Sequence, residues 1–160
     1  MSLTAIKDQI QVILAGVPGT GIIHPYERFS NDWNKYLAIF QDADRKINGI
    51  MFTREKYTSR FATAAEVERA HVFVIRRFSG LRDAAGSGIV FDEINELILQ
   101  AFEAEENETL GGACLTICPD WGPMAGAVGA QMDISEPRMF GNVLCHYAEF
   151  RLCAVEQTQR

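Results

Sequence analysis

Residues Asn48 to Phe78 read NGIMFTREKYTSRFATAAEVERAHVFVIRRF, and this stretch decides which fold the chain can adopt. Asn48-Gly49 is a turn signal, and the mixed apolar and charged residues from Ile50 to Tyr57 are typical of a strand. A second strand is predicted from about Ala70 to Phe78. The segment between them, Thr58 to Arg69, is polar and has no apolar period long enough for a core element. We therefore predict two long strands separated by a projecting hairpin arm or a mobile loop.

Two helices and a short strand are predicted before this stretch. Apolar residues recur at three- and four-residue steps from Leu3 to Val17, which indicates an amphipathic helix with Ser2 or Thr4 available as its cap. A short strand from Ile22 to Phe29 leads to a second helix that starts near Ser30.

A long helix and further strands are predicted after it. Gly80 to Gly88 is expected to be a loop, and the apolar period from Val90 to Phe102 predicts the longest helix, followed by the acidic segment Glu103 to Glu108. Two or three more strands complete the prediction: Ala113 to Cys118, Ala127 to Ile134, and a strong final strand from Val143 to Val155. In the final strand, Glu149 and Arg151 are predicted to face one way and Leu144, Ala148, Phe150 and Leu152 the other.

The order of these elements predicts one α+β domain over residues 1–160, with helices packed on a mixed or mainly antiparallel sheet. A chain of 160 residues is long enough to fold without a metal or disulfide staple. The composition, with 48% apolar and 22% charged residues, is that of an ordinary globular domain. A net charge of −6 argues against a general nucleic-acid-binding protein.

The apolar runs indicate neither a membrane span nor a secretion signal. The longest of them are far shorter than the roughly 20 residues that cross a bilayer. Lys7 and Asp8 interrupt the apolar residues near the N-terminus before a signal peptide can develop. We therefore expect the protein to be located in a cytoplasm.

One pair of motifs suggests a nucleotide hydrolase. Leu14 to Ile23 reads LAGVPGTGII, and Gly88 to Asn95 reads GIVFDEIN, an apolar run that ends in two carboxylates. A phosphate loop needs Lys and then Ser or Thr after its last glycine, whereas this chain has Ile22 and Ile23. Without these groups neither the phosphates nor a magnesium ion is held. We expect the glycines to form a turn that ends the first helix.

Cysteine and histidine patterns offer no better catalytic or metal site. The cysteine spacings, C-x3-C and C-x7-C, are not usual zinc patterns, and in a reducing compartment thiols mainly behave as small buried hydrophobes. A metal site at the adjacent Cys145 and His146 is disfavoured because neighbouring strand residues point to opposite faces. His71 is expected to be a packed or edge histidine. We predict no enzymatic activity, no cofactor and no catalytic or metal-binding residues.

Several phrases resemble the tail terminator, or tail completion, proteins of long-tailed bacteriophages and prophages. The similarity spans most of the chain. The phrases are HPYERFSNDW (His24 to Trp33), NGIMFTREK (Asn48 to Lys56), HVFVIRRFSGLRDA (His71 to Ala84) and EPRMFGNVLCHYAEFRL (Glu136 to Leu152).

The resemblance implies a non-enzymatic virion protein that assembles in the bacterial cytoplasm and ends in the virion tail. It would form a homo-oligomeric ring, usually a hexamer, that caps the tail tube, stops its polymerisation and joins the head connector. DNA would pass through the ring without specific binding, and acidic residues such as Glu103, Glu105, Glu106 and Glu108 are candidates for the lumen. The alternatives are another head-tail connector or minor tail protein, and a small nucleotide-binding enzyme.

A ring of this kind needs a heterologous interface whose rotation closes. Most candidate interface residues are charged side chains of the predicted strands, the arm and the loop after the second long strand, which are able to pair between neighbours. The others are Phe61 of the arm and two residues of the glycine-rich stretch Asp120 to Gln131. That stretch either orders on a partner or packs on its own core. The candidates are Arg54, Lys56, Arg60, Phe61, Arg69, Arg76, Arg77, Arg82, Trp121 and Met124.

Overall fold

A computed structural model describes residues 1–160 and has the predicted α+β fold. None of its helices is long and apolar enough to cross a bilayer. Two short 3-10 helices, Asp83–Ala85 and Glu105–Asn107, flank the longest α-helix. The α-helices are α1 (Leu3–Gly16), α2 (Trp33–Ala38) and α3 (Ser87–Glu103), and the strands are β1 (Ile22–His24), β2 (Asn48–Phe61), β3 (Glu66–Gly80), β4 (Gln131–Phe140) and β5 (Val143–Gln159).

The strands form one mixed sheet in the order β1-β2-β3-β5-β4. Only the three-residue β1 runs parallel to its neighbour, and the other pairs are antiparallel. The long strand β5 lies between β3 and β4, so the last segment of the chain is central in the sheet. This arrangement agrees with the prediction of a mixed, mainly antiparallel sheet.

Helices α1 and α3 cover one face of the sheet. Ile6, Ile10 and Leu14 of α1 are completely buried, as their three- and four-residue spacing predicts. They meet Phe91, Ile98 and Phe102 of α3 in a core of 20 buried residues. Full burial of each such apolar side chain contributes about 1.5 to 3 kcal/mol, so this face supplies most of the hydrophobic stabilisation.

The opposite face of the sheet has two smaller apolar clusters. At one end α2 contributes Leu37 and Phe40, which pack against Phe78 of β3. The rings of Phe40 and Phe78 are stacked with centroids 4.2 Å apart. At the other end, Trp121 and Met124 pack against the second cluster, which consists of Ala70, Val72, Cys153 and Val155.

The glycine-rich stretch after α1 is a turn, as predicted. Helix α1 ends at Gly16, and Gly19 and Gly21 have positive φ angles of 86° and 72°. The Thr20 hydroxyl lies 3.0 Å from the carbonyl oxygen of Leu14, and is therefore occupied in closing the helix end. The Asn48 side chain donates to the Gly19 carbonyl at 2.9 Å, which ties the turn to the start of β2.

Strands β2 and β3 are longer than predicted. We predicted that β2 ends at Tyr57 and that β3 begins at about Ala70, but β2 continues to Phe61 and β3 begins at Glu66. Cross-strand pairing therefore runs through the predicted arm as far as Phe61 and Val67, and Thr58 to Arg69 is a hairpin and not a mobile loop. The end of β5 pairs with β3 up to Gln159, so the arm is three-stranded.

Two strand predictions after α3 were wrong in extent or in kind. Ala113 to Cys118 is not a strand and makes only an isolated bridge between Thr116 and Val155. The preceding residues Leu110, Gly111 and Gly112 all have positive φ, and this coils the chain before a strand can develop. The strand predicted over Ala127 to Ile134 is β4, which begins at Gln131 and continues to Phe140.

Three element boundaries also differ from the predictions. The strand predicted over Ile22 to Phe29 ends at His24, and α2 begins at Trp33 with Asp32 as its cap instead of near Ser30. Helix α3 begins at Ser87, within the segment predicted to be a loop and before the predicted start at Val90.

Candidate assembly surfaces

The arm formed by β2, β3 and the end of β5 brings together five of the ten predicted interface residues. All five are exposed, and they lie on the two strands of the hairpin. They are Arg54, Lys56, Arg60, Phe61 and Arg69.

The tip of the arm is stiffened by contacts across the strands. The Arg60 Nε donates to Glu68 Oε2 at 2.8 Å, and the Ala62 amide donates to the Glu66 carbonyl at 3.0 Å to close the turn. Phe61 remains 67% exposed although the guanidinium of Arg160 lies 5.1 Å from its ring centroid. The tip therefore presents an aromatic side chain on an ordered scaffold.

Trp121 and Met124 lie beside the arm but are half-buried. Both pack on the apolar cluster around Ala70, and the Arg60 guanidinium lies 4.5 Å from the Trp121 ring centroid. The glycine-rich stretch is thus packed on the core of its own chain, which was one of the two interpretations of the sequence. Trp121 supports the arm from one side.

Arg76 belongs to a charged stripe on the face opposite α1 and α3. Its Nε lies 4.0 Å from Glu149 Oε2, and the nearby Arg151 Nε donates to Glu55 Oε2 at 3.1 Å. Arg151 also pairs with Asp133 of β4. These pairs join the four long strands, and the alternation of charged and apolar residues in β5 was the sequence signal for Glu149 and Arg151.

Arg77 was wrongly assigned to the surface. Its side chain is 1% exposed, and its Nη1 donates to the Asn95 side-chain oxygen at 2.9 Å and to the Phe91 carbonyl at 3.1 Å. The guanidinium carbon lies 4.3 Å from the Phe91 ring centroid. Burial lowers the pKa of Arg77 to about 10. Adjacent strand residues face opposite sides, so Arg76 and Arg77 cannot share one surface.

Arg82 lies at the end of the sheet opposite the arm. It lines a cleft of about 560 Å³ together with Arg45 and Lys46 of the turn before β2. The polar sequence around Arg45 and Lys46 is typical of a solvated turn, and nothing in the local pattern linked this turn to Arg82. Asp42 is the only carboxylate that lines the cleft.

The acidic candidates for a ring lumen follow the other end of α3. Glu103, Glu105, Glu106 and Glu108 are exposed, and none of them takes part in a salt bridge. Glu108 accepts from the Thr116 hydroxyl at 3.2 Å and lines a shallow pocket with Arg60 and Glu68 of the arm.

The histidines have structural partners. His71 is 2% exposed, as expected for a packed histidine, and its Nε2 lies 3.0 Å from Glu156 Oε1. The Ser87 hydroxyl lies 2.8 Å from His146 Nε2 and accepts from the Arg82 amide. Burial lowers the pKa of His146, while nearby Asp92 raises it and Arg77 lowers it.

Cys145 and His146 face opposite sides of the sheet, as predicted from their adjacent positions in a strand. Cys145 belongs to the cluster beneath α2, whereas the ring of His146 stacks on Phe91 of α3. Burial raises the pKa of Cys145 and Cys153 to about 11. These thiols therefore stay protonated at neutral pH and pack as hydrophobes. No group of three or more His, Cys, Asp or Glu side chains is arranged to hold a metal ion.

Neither the comparison with protein-family models nor the comparison with curated protein sequences finds a match for this chain. The molecule is thus defined by its α+β fold, the exposed arm and the two oppositely charged ends of α3.

Proposed function

We propose that this chain is a structural assembly protein of a long-tailed phage or prophage tail. It forms a ring, a hexamer by the resemblance, that caps the tail tube, stops tube polymerisation and presents a surface to the head connector. Its partners are further copies of itself, the tube protein and the connector, and DNA passes through its lumen. The protein acts by the geometry of its interfaces and needs no cofactor.

The exposed arm is the observation that carries this proposal. The hairpin exposes Phe61 and several cations on an ordered scaffold. Aromatic and arginine side chains are enriched in the contacts that carry binding energy between proteins. These exposed side chains are therefore available to a neighbouring subunit or to the tube.

Strand β4 is a second surface suited to assembly. It is an edge strand of ten residues whose side chains are mostly exposed, including Met132 and Met139. An edge strand presents unpaired backbone groups to which another chain can add. The other edge, β1, has only three residues, so β4 offers the longer edge for such a contact.

The experiment that tests the function is deletion of the gene from an inducible phage, followed by measurement of tail lengths by negative-stain electron microscopy. We expect overlong tubes without heads, and addition of the purified protein should restore one length. Tails of normal length that fail to join heads would reject the terminator and favour the connector alternative. Saturable, magnesium-dependent ATP binding by the purified protein would instead revive the nucleotide-enzyme hypothesis.

A further inference from the structure

Helix α3 has a charge distribution that reinforces its dipole. Its first turn contains no acidic residue, its last turn contains no basic residue, and Glu103 is its final residue. Surface helices are stabilised by the opposite arrangement, with acids at the N-terminus and bases at the C-terminus. The positive end therefore meets the cations of the cleft, and the negative end leads into the acidic segment.

The cleft beside the N-terminus of α3 is lined by more cations than carboxylates. Arg45, Lys46 and Arg82 line it, and none of the three takes part in a salt bridge. Asp42 is the only carboxylate in the lining, and its Oδ1 accepts from the backbone amides of Asp44 and Lys46, both at 2.9 Å. Its single negative charge balances at most one of the three cations.

A buried and incompletely paired group also lines this cleft. Arg77 is only 1% exposed, and its Nε has no hydrogen-bond partner. Its two acceptors, the Phe91 carbonyl and the Asn95 side-chain oxygen, are both neutral. A buried cation without a counter-charge is costly, and an anion in the cleft would offset that cost.

The acidic segment at the other end of α3 is the matching charge. Glu103, Glu105 and Glu106 are exposed and take part in no salt bridge. The cleft reaches along α3 as far as Ile94, and Glu103 lies nine residues further, about 14 Å along the helix axis. No carboxylate of this segment can reach the cleft of its own subunit.

We infer that the cationic cleft of one subunit receives the acidic segment Glu103 to Glu108 of a second copy of this chain. The inference rests on the proposed function in one respect, namely that copies of the chain assemble. Each head-to-tail contact uses one cleft and one acidic segment and leaves one of each for the next copies. Such an interface is heterologous, and it closes into a ring when its rotation permits.

Two charge-reversed proteins test the interface. The cleft variant carries Lys46→Glu and Arg82→Glu, and the segment variant carries Glu105→Lys and Glu106→Lys. Each is mixed with itself and with the other, and assembly is measured by sedimentation velocity and native mass spectrometry at about 50 mM salt, where exposed charges are weakly screened.

We expect each variant alone to self-associate at least tenfold more weakly than the wild type, because like charges then face each other. An equimolar mixture should assemble again, with the two proteins alternating. In the mixture, the reversed cleft meets the reversed acidic segment, and the two unchanged surfaces also meet. Recovery on mixing shows that both variants are folded, since an unfolded protein could not complement its partner.

Matched controls carry the same changes in net charge away from α3 termini. Lys7→Glu with Lys35→Glu matches the cleft variant, and Asp8→Lys with Glu96→Lys matches the segment variant. These controls should assemble like the wild type.

Three results would overturn the inference. The first is wild-type assembly by both reversed variants alone, and the second is a mixture of folded variants that stays monomeric. The third is a wild type that remains monomeric, or stops at a dimer, up to about 1 mM, where even weak specific contacts are half formed. The proposed function has a separate readout in tail length. If the charge-reversed variants still form rings and still set tail length, this interface is rejected and the proposed function stands.

Discussion

The buried guanidinium of Arg77 donates through Nη1 to the Asn95 side-chain oxygen at 2.9 Å, which joins β3 to α3 inside the protein. Asn95 is 1% exposed, and its own amide nitrogen has no partner. The contact thus pairs a strand cation with a polar residue on the apolar face of a helix.

We expect Asn95→Ala to destabilise the protein by about 2 kcal/mol or more, because it removes an acceptor from a buried charge. Replacing both polar residues, as Arg77→Met with Asn95→Leu, should cost less than the sum of the single changes Arg77→Met and Asn95→Leu. Urea unfolding of the wild type and of all four variants measures these free energies. Strictly additive losses would show that the two side chains are not coupled.

Gly21 holds the turn after α1 in a conformation that other residues rarely adopt. Its φ angle is 72°, and a Cβ at this position would collide with the Asn48 backbone. Gly21→Ala should therefore lower the free energy of unfolding by more than about 1 kcal/mol. Magnesium-dependent ATP binding that is lost in this variant would instead favour the nucleotide site.

Gly16 is the matched control. It is the last residue of α1, its φ is not positive, and no atom lies within 4 Å of an added Cβ. Gly16→Ala should be neutral or stabilise the protein by up to about 1 kcal/mol, because alanine favours the helix. Equal destabilisation by both changes would contradict the steric explanation.

Phe61 separates folding from assembly. Because it is 67% exposed, Phe61→Ser should change the free energy of unfolding by less than about 0.5 kcal/mol. The same change should raise the amount of purified protein that is needed to restore normal tail length in deletion lysates. Phe29→Ser is the control, since Phe29 is 84% exposed but lies before α2, away from the arm. Full activity of the Phe61 variant would show that the tip of the arm is not part of the assembly surface.

His146 makes stability depend on pH. Burial holds the pKa of His146 in the folded protein below its value of about 6.5 in the unfolded chain. Between the two values the unfolded state binds more protons, so stability falls as the pH drops below about 6.5. Once the pH is below the folded-state pKa, this contribution no longer changes.

We expect His146→Gln to flatten the dependence of unfolding free energy on pH just below 6.5, while Ser87 retains a hydrogen-bond acceptor. Urea titrations of both proteins between pH 5 and pH 8 provide the measurement. An unchanged slope in the His146 variant would assign the acid sensitivity to other groups.

The local sequence determined the elements whose signals are local. The apolar period of α1, the turn that follows it and the apolar period of α3 could all be predicted, because a helix face and a glycine turn depend on residues only a few positions apart. The alternation in β5 likewise indicated which residues face the core. The prediction was less accurate at strand ends, where pairing with β3 carries β2 and β5 to the tip of the arm.

Only the tertiary structure decided which arginine of the Arg76-Arg77 pair is buried. A strand places adjacent residues on opposite faces, but the sequence does not say which face receives α3 and its Asn95. The cleft likewise depends on the packing of two turns, one with Arg45 and Lys46 and the other with Arg82, that lie far apart in the chain. Such contacts join distant segments, and no local pattern of residues encodes them.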